Sequence, residues 1–212
     1  MGNTQTNLFG EPARDAAASQ WFTPSWLAAR LARWVPRSAR VIEPACGSGN
    51  LIEALLRCGH LPERIIAIER DKRWAEHTYR RFERLVQVVY GDFLLDAHVR
   101  ESCVAFQPTA CLQNPPFEDN AHMRFIIAGL ELAPLVVGIF PGSIEFSGER
   151  DNRLWSQRAV VTRRALLPER VDYGGDQSPS FDSVALMIER RASPRRSPEV
   201  RHVREETWRP RE

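Results

Sequence analysis

The stretch Arg64-Ile65-Ile66-Ala67-Ile68-Glu69 constrains this chain most. Its apolar run leaves no polar face for water, so it reads as a strand buried on both sides of a parallel sheet. Such a sheet needs helices over both faces, and the neighbouring sequence supplies them. Arg40–Glu43 is a short strand running into a glycine-rich turn, and Leu51, Ile52, Leu55 and Leu56 recur behind it at helical spacing as far as Gly59. Residues 71–84 are helical in pattern, Leu85–Tyr90 is a third strand, and residues 109–113 a fourth. A helix over about 120–132 leads to a fifth strand, Leu135–Phe140. Upstream, Trp26, Leu27, Leu31 and Trp34 mark a helix between Pro24 and Pro36. This alternation predicts an α/β, Rossmann-like, doubly wound and mostly parallel sheet of about seven strands. After residue 150 the pattern predicts a helix, then an antiparallel hairpin at the C-terminal end, with strands Arg164–Tyr173 and Phe181–Arg190 joined by residues 174–180.

The domain organisation follows from composition. Residues 1–18 are small and polar and read as a flexible arm, residues 19–190 as one domain, and residues 191–212, rich in Arg and Pro with no apolar period, as a disordered tail. The formal charge of +2 says little about partners, but Lys72 is the only lysine in the chain. Arginine forks onto phosphate and stacks on bases, although a GC-rich coding sequence gives the same bias. Cys46, Cys58, Cys103 and Cys111 lie far apart, which argues against a zinc site or a disulfide framework. With no signal segment and no bilayer-spanning run, a cytoplasmic protein without membrane attachment is expected.

The fourth strand ends at Asn114-Pro115-Pro116-Phe117. Pro115 and Pro116 lack N–H groups, so the turn presents carbonyl acceptors with few competing donors, and the Asn114 side-chain oxygen adds another. Two acceptors against the hydrogens of a planar NH2 group would fix its direction and enrich its nitrogen, while Phe117 stacks on the flat substrate. A proline-rich bend is the bland alternative. Position favours the clamp, because ligands of a doubly wound sheet bind outside the carboxyl ends of the strands. The Glu43–Gly49 loop, Glu69, Asp92, the Asn114–Phe117 turn and Pro141-Gly142 all fall at such ends. Gly47 and Gly49 let backbone approach a ligand, and the helix that follows offers free N–H groups. Glu69 stands where an acid grips ribose hydroxyls. A dinucleotide and S-adenosyl-L-methionine both fit this much, but Ile52 occupies the third-glycine position and breaks the dinucleotide fingerprint, and Asp92-Phe93 tips the choice to S-adenosyl-L-methionine. The Asp92 carboxylate can accept from an adenine amino group and Phe93 can pack on its ring, a turn-capping Asp92 being the alternative. His98 and His122 read as surface residues, and Trp21, Trp26 and Trp34 as core or interface.

Taken together, these stretches resemble the class I S-adenosylmethionine-dependent methyltransferases, in particular the amino-group branch that includes N6-adenine methyltransferases. Phe22-Thr23-Pro24 resembles the element touching the methionine end of the cofactor, Glu43-Pro44-Ala45-Cys46-Gly47-Ser48-Gly49 the glycine-rich loop, Glu69 the ribose acid, Asp92-Phe93 the adenine pair, and Asn114-Pro115-Pro116-Phe117 the catalytic tetrapeptide. The likeness covers about residues 20–190. It implies a cofactor site at Thr23, Glu43, Ala45, Gly47, Gly49, Glu69, Asp92, Phe93 and Asn114, catalysis by the tetrapeptide, and no metal. It implies methyl transfer to the N6 amino group of adenine in nucleic acid, DNA before RNA. Arg150, Arg153, Arg158, Arg163 and Arg164 lie beyond the fifth strand, beside the expected active face, where they could contact phosphates, a solvated helix face being the alternative. No stretch of this sequence is long enough to be the large target-recognition domain usual in that group, so a protein partner supplying specificity is one expectation. A glutamine N5-methyltransferase and a non-catalytic cofactor-binding subunit are the alternatives.

Overall fold

The apolar runs become the strands of a single sheet. A computed structural model describes residues 21–145, 159–167, 171–173, 182–192 and 203–210. The strands are β1 (Val41–Glu43), β2 (Ile65–Glu69), β3 (Gln87–Tyr90), β4 (Ala110–Gln113), β5 (Leu135–Pro141), β6 (Ala159–Leu166), β7 (Ser183–Arg190) and β8 (Arg204–Thr207). Their order is β3-β2-β1-β4-β5-β7-β6-β8. The first five run parallel, and β7 lies antiparallel between β5 and β6. The chain starts at β1, winds outward to β3, then returns to β4 and β5. The crevice outside β1 and β4, where winding reverses, is the place such sheets bind ligands.

Helices α1 (Ser25–Ala32), α2 (Asn50–Arg57), α3 (Lys72–Arg81), α4 (Ala97–Phe106) and α5 (Ala121–Leu132) complete the layers. Alternate strand residues feed opposite faces. Val41, Ile65, Ala67, Ala110 and Leu112 pack with the apolar faces of α1 and α2. Ile42, Ile66 and Ile68 pack with Val99 and Cys103 of α4 and Phe125 of α5. None of the described helices is long and apolar enough to cross a membrane.

Four features differ from the sequence expectations. Among the described residues the sheet has eight strands, one more than the approximate seven expected. Helix α4 was not foreseen, because only Val99, Cys103 and Phe106 of its residues are buried, too few for a clear period. The first hairpin strand begins at Ala159 rather than Arg164, since Ala159, Val160 and Val161 are all buried. The register shifts between Val161 and Arg163, a bulge that turns Arg163 to the face opposite Val161. Lastly, residues 203–210 are not an unstructured tail. Strand β8 pairs with β6, and Trp208 packs against Trp34 with the rings tilted at 54° and their centres 4.6 Å apart. The arm over 1–18, the helix after 150 and the loop 174–180 lie outside the described residues.

Candidate active site

At the β1–β4 crevice the structure has a cavity of about 260 Å³. Its floor is the β1 end and the turn after it. Glu43, Ala45 and Gly47 line it, as do Glu69 from the end of β2 and Asp92 and Phe93 after β3. Thr23 closes one side and Asn114, Pro115 and Pro116 another. The residues nominated from sequence thus meet in one space, with two exceptions. Gly49 stands behind the wall as the N-cap of α2 in a left-handed conformation, φ 83°. Phe117 is not among the lining residues and meets the His122 ring edge-on at 6.0 Å. His122 itself is buried, not a surface residue, because α5 carries it inward with Phe125 and Ile126.

The glycine-rich loop is held from three directions. The Gly47 N–H donates to Glu69 Oε2 at 2.8 Å, and the Asp71 N–H donates to Oε1 at 2.8 Å. The Thr78 hydroxyl donates to the Gly47 carbonyl at 2.7 Å. Arg81, at the end of α3, reaches the Ser48 carbonyl, Asn50 Oδ1 and the Glu53 carboxylate. A Cβ on Gly47, whose φ is 49°, would stand 2.8 Å from Phe22 Cε1, so only glycine lets the loop and that ring lie this close. Phe22 in turn sits edge-on against the buried Trp74 at 4.6 Å.

Two carboxylates share this end of the sheet. Burial raises the Glu69 pKa above the ordinary value, while its bonds from Asp71 and Gly47 pull the other way. Glu43, 2% exposed, is raised further, by burial first and by the neighbouring Glu69 charge second. Its Oε2 atom has no hydrogen-bond partner among the described residues. Asp92 does act as a turn cap. Its Oδ1 accepts from Leu94 and Leu95 N–H at 2.8 and 3.1 Å, which leaves Oδ2 as the oxygen for a ligand.

The Asn114 amide is oriented by its donors. Nδ2 donates to the Trp21 carbonyl at 3.2 Å and to Thr23 Oγ1 at 3.1 Å. A carbonyl oxygen can only accept, so the bond to Trp21 fixes which amide atom is nitrogen. Both amide hydrogens are thereby engaged, and Oδ1 remains as an acceptor. Asn50 Nδ2 holds the Thr23 carbonyl at 2.9 Å, tying this segment to the start of α2.

Sequence reasoning missed Trp21, Arg70, Trp74 and Arg124, which also line the cavity. Arg70 was within reach, being next to Glu69 at a strand end. Trp74 and Arg124 lie in the first turns of α3 and α5, where no spacing marks them.

No protein-family model matches the chain, and no curated protein matches it in sequence. Solved structures do. A candidate RNA methyltransferase from Pyrococcus horikoshii superimposes with a TM-score of 0.62 at 20% identity, covering 89% of this chain and 94% of its own. A candidate class I S-adenosylmethionine-dependent methyltransferase from Listeria monocytogenes gives 0.60 at 14% identity, with 88% and 65% covered. A dimethyladenosine transferase from Plasmodium falciparum gives 0.55 at 19% identity, with 81% and 63% covered. This is the class I methyltransferase fold. Within this fold, the crevice at β1 and β4 is the part that frames the cavity described above.

Proposed function

We propose that the chain is an S-adenosylmethionine-dependent methyltransferase acting on the exocyclic amino group of adenine in nucleic acid. The observation that carries this reading is the Asn114 amide, whose two donated hydrogens leave Oδ1 as a fixed acceptor at the cavity. Oδ1 and the Pro115 carbonyl form an acceptor pair suited to the two hydrogens of a planar amino group. Structural neighbours named for RNA and for dimethyladenosine chemistry support a nucleic-acid substrate.

The residues present fit the cofactor. The unpartnered Glu43 Oε2 offers an acceptor for an ammonium group, the Glu69 carboxylate has lone pairs left for a ribose diol, and Asp92 Oδ2 with Phe93 suits an adenine ring. Bound there, S-adenosylmethionine supplies a methyl group activated on a sulfonium sulfur. The chain's own part is positioning. Asn114 and Pro115 aim the amino lone pair and raise its electron density, and the nitrogen that gains the methyl as the S–C bond breaks sheds one N–H proton to solvent. Fixed acceptors of this kind act through orientation and electrostatics rather than covalent chemistry.

The test uses labelled S-adenosylmethionine with duplex DNA, structured RNA or a protein extract. Label is expected in adenine of one nucleic acid, and the same experiment separates DNA from RNA. Label in protein alone would sink the reading. Asn114→Ala is expected to lower kcat by roughly 100-fold or more while cofactor affinity stays within a few-fold.

A further inference from the structure

Away from the cavity, α1 and the C-terminal edge of the sheet enclose a groove of about 590 Å³. Arg30 and Arg33 of α1, Arg163 of β6, and Arg204 and Arg209 of the last segment line it, with Glu206 as its one carboxylate. Trp34 and Trp208 form a buried aromatic floor at 6% and 4% exposure, and Trp26 stands half-buried at the side. The arginines lie over these rings. Arg30 is 6.0 Å from the Trp26 ring centre and 5.7 Å from that of Trp208, and Arg163 is 5.1 Å from that of Trp34. It is the bulge after Val161 that brings Arg163 to this face.

The charges do not balance. Glu206 serves Arg163 at 3.0 Å and Arg204 at 3.5 Å. Among the described residues, the side chains of Arg33 and Arg209 have no hydrogen bond or ion pair, and both are exposed. A guanidinium presents N–H edges that match phosphate oxygens, and Arg33 and Arg209 carry such edges into the groove. An aromatic face beside them accepts a base by stacking.

We propose that this groove binds a single-stranded stretch of the nucleic-acid substrate, with phosphates on Arg33, Arg204 and Arg209 and a base against Trp26. The proposal rests on the adenine reading of the cavity. The two places are linked by α1, which begins just after Trp21 and Thr23 of the cavity wall and carries Trp26 in its first turn. Charge complementarity selects a polyanion, and the interleaved tryptophan selects one with bases.

Fluorescence anisotropy with a labelled single-stranded oligonucleotide tests it, comparing wild type with Arg33→Ala/Arg209→Ala. The double variant is expected to bind about tenfold more weakly at physiological salt. Its log K against log salt line should be shallower by about 1.4, roughly 0.7 for each single-strand phosphate that the variant leaves without a cation. Calorimetric affinity for S-adenosylmethionine should be unchanged. Equal binding by wild type and variant overturns the groove and leaves the adenine reading standing. Oligonucleotide binding that depends on these arginines, without label entering adenine, upholds the groove and overturns the adenine reading. Wild-type protein that binds no oligonucleotide overturns the groove outright, as does polyglutamate competing as well as the oligonucleotide.

Discussion

Asn114 shows how one side chain can be specified by groups it does not act on. Thr23 and the Trp21 carbonyl hold its nitrogen, so its oxygen has one direction. Thr23→Val keeps the shape and removes one acceptor. It is expected to lower turnover by about five- to tenfold, the worth of one hydrogen bond, while Thr23→Ser retains activity. The pair of acceptors also counts hydrogens. A monomethylated amino group presents one donor to two acceptors, so mass spectrometry of the product should show a single methyl added per base, even with excess cofactor. Glu43 carries a different expectation. Its carboxyl is held above the usual range by burial, so the folded chain binds a proton that the unfolded chain releases. That contribution is complete below the ordinary carboxylate pKa of about 4.3 and is lost as pH rises toward the folded value. Thermal denaturation of Glu43→Gln should therefore show a smaller fall in Tm on going from pH 5 to pH 8 than wild type does.

Elements differ in how plainly the sequence announces them. β2 and β5 were legible because burial on both faces requires long apolar runs, and the turns after β1, β3 and β4 were legible because glycine, proline and acids cluster there. β8 was not. Arg204-Glu205-Glu206-Thr207 has no apolar alternation, and its place is set by pairing with β6 and by Trp208, whose N–H donates to Glu206 at 2.9 Å. A strand held by long-range partners leaves little local trace. Trp208→Ala should cost about 3 kcal/mol in denaturant unfolding, as loss of a buried tryptophan does. Phe117 was misplaced for a related reason. The tetrapeptide marks a turn, but the turn's exit toward α5 decides which way the ring faces, and it faces His122. Within the glycine-rich loop, Gly49 acts through the backbone alone. With φ at 83° and a Cβ that would stand 2.6 Å from Phe82, Gly49→Ala is strained and crowded. It should destabilise the chain by roughly 1–3 kcal/mol.

At the scale of the molecule, the winding reversal between β1 and β4 gathers the loop, the acids and the Asn114 turn at one edge of the sheet, and α1 leads from there to the C-terminal groove. The chain thus brings together sequence from near both ends, Trp26 and Trp208, on one surface. That surface is cationic through arginine alone. Guanidinium offers no primary amine to acylating enzymes. Its hold on a phosphate backbone would thus be deaf to lysine acetylation, leaving salt as the variable that loosens it.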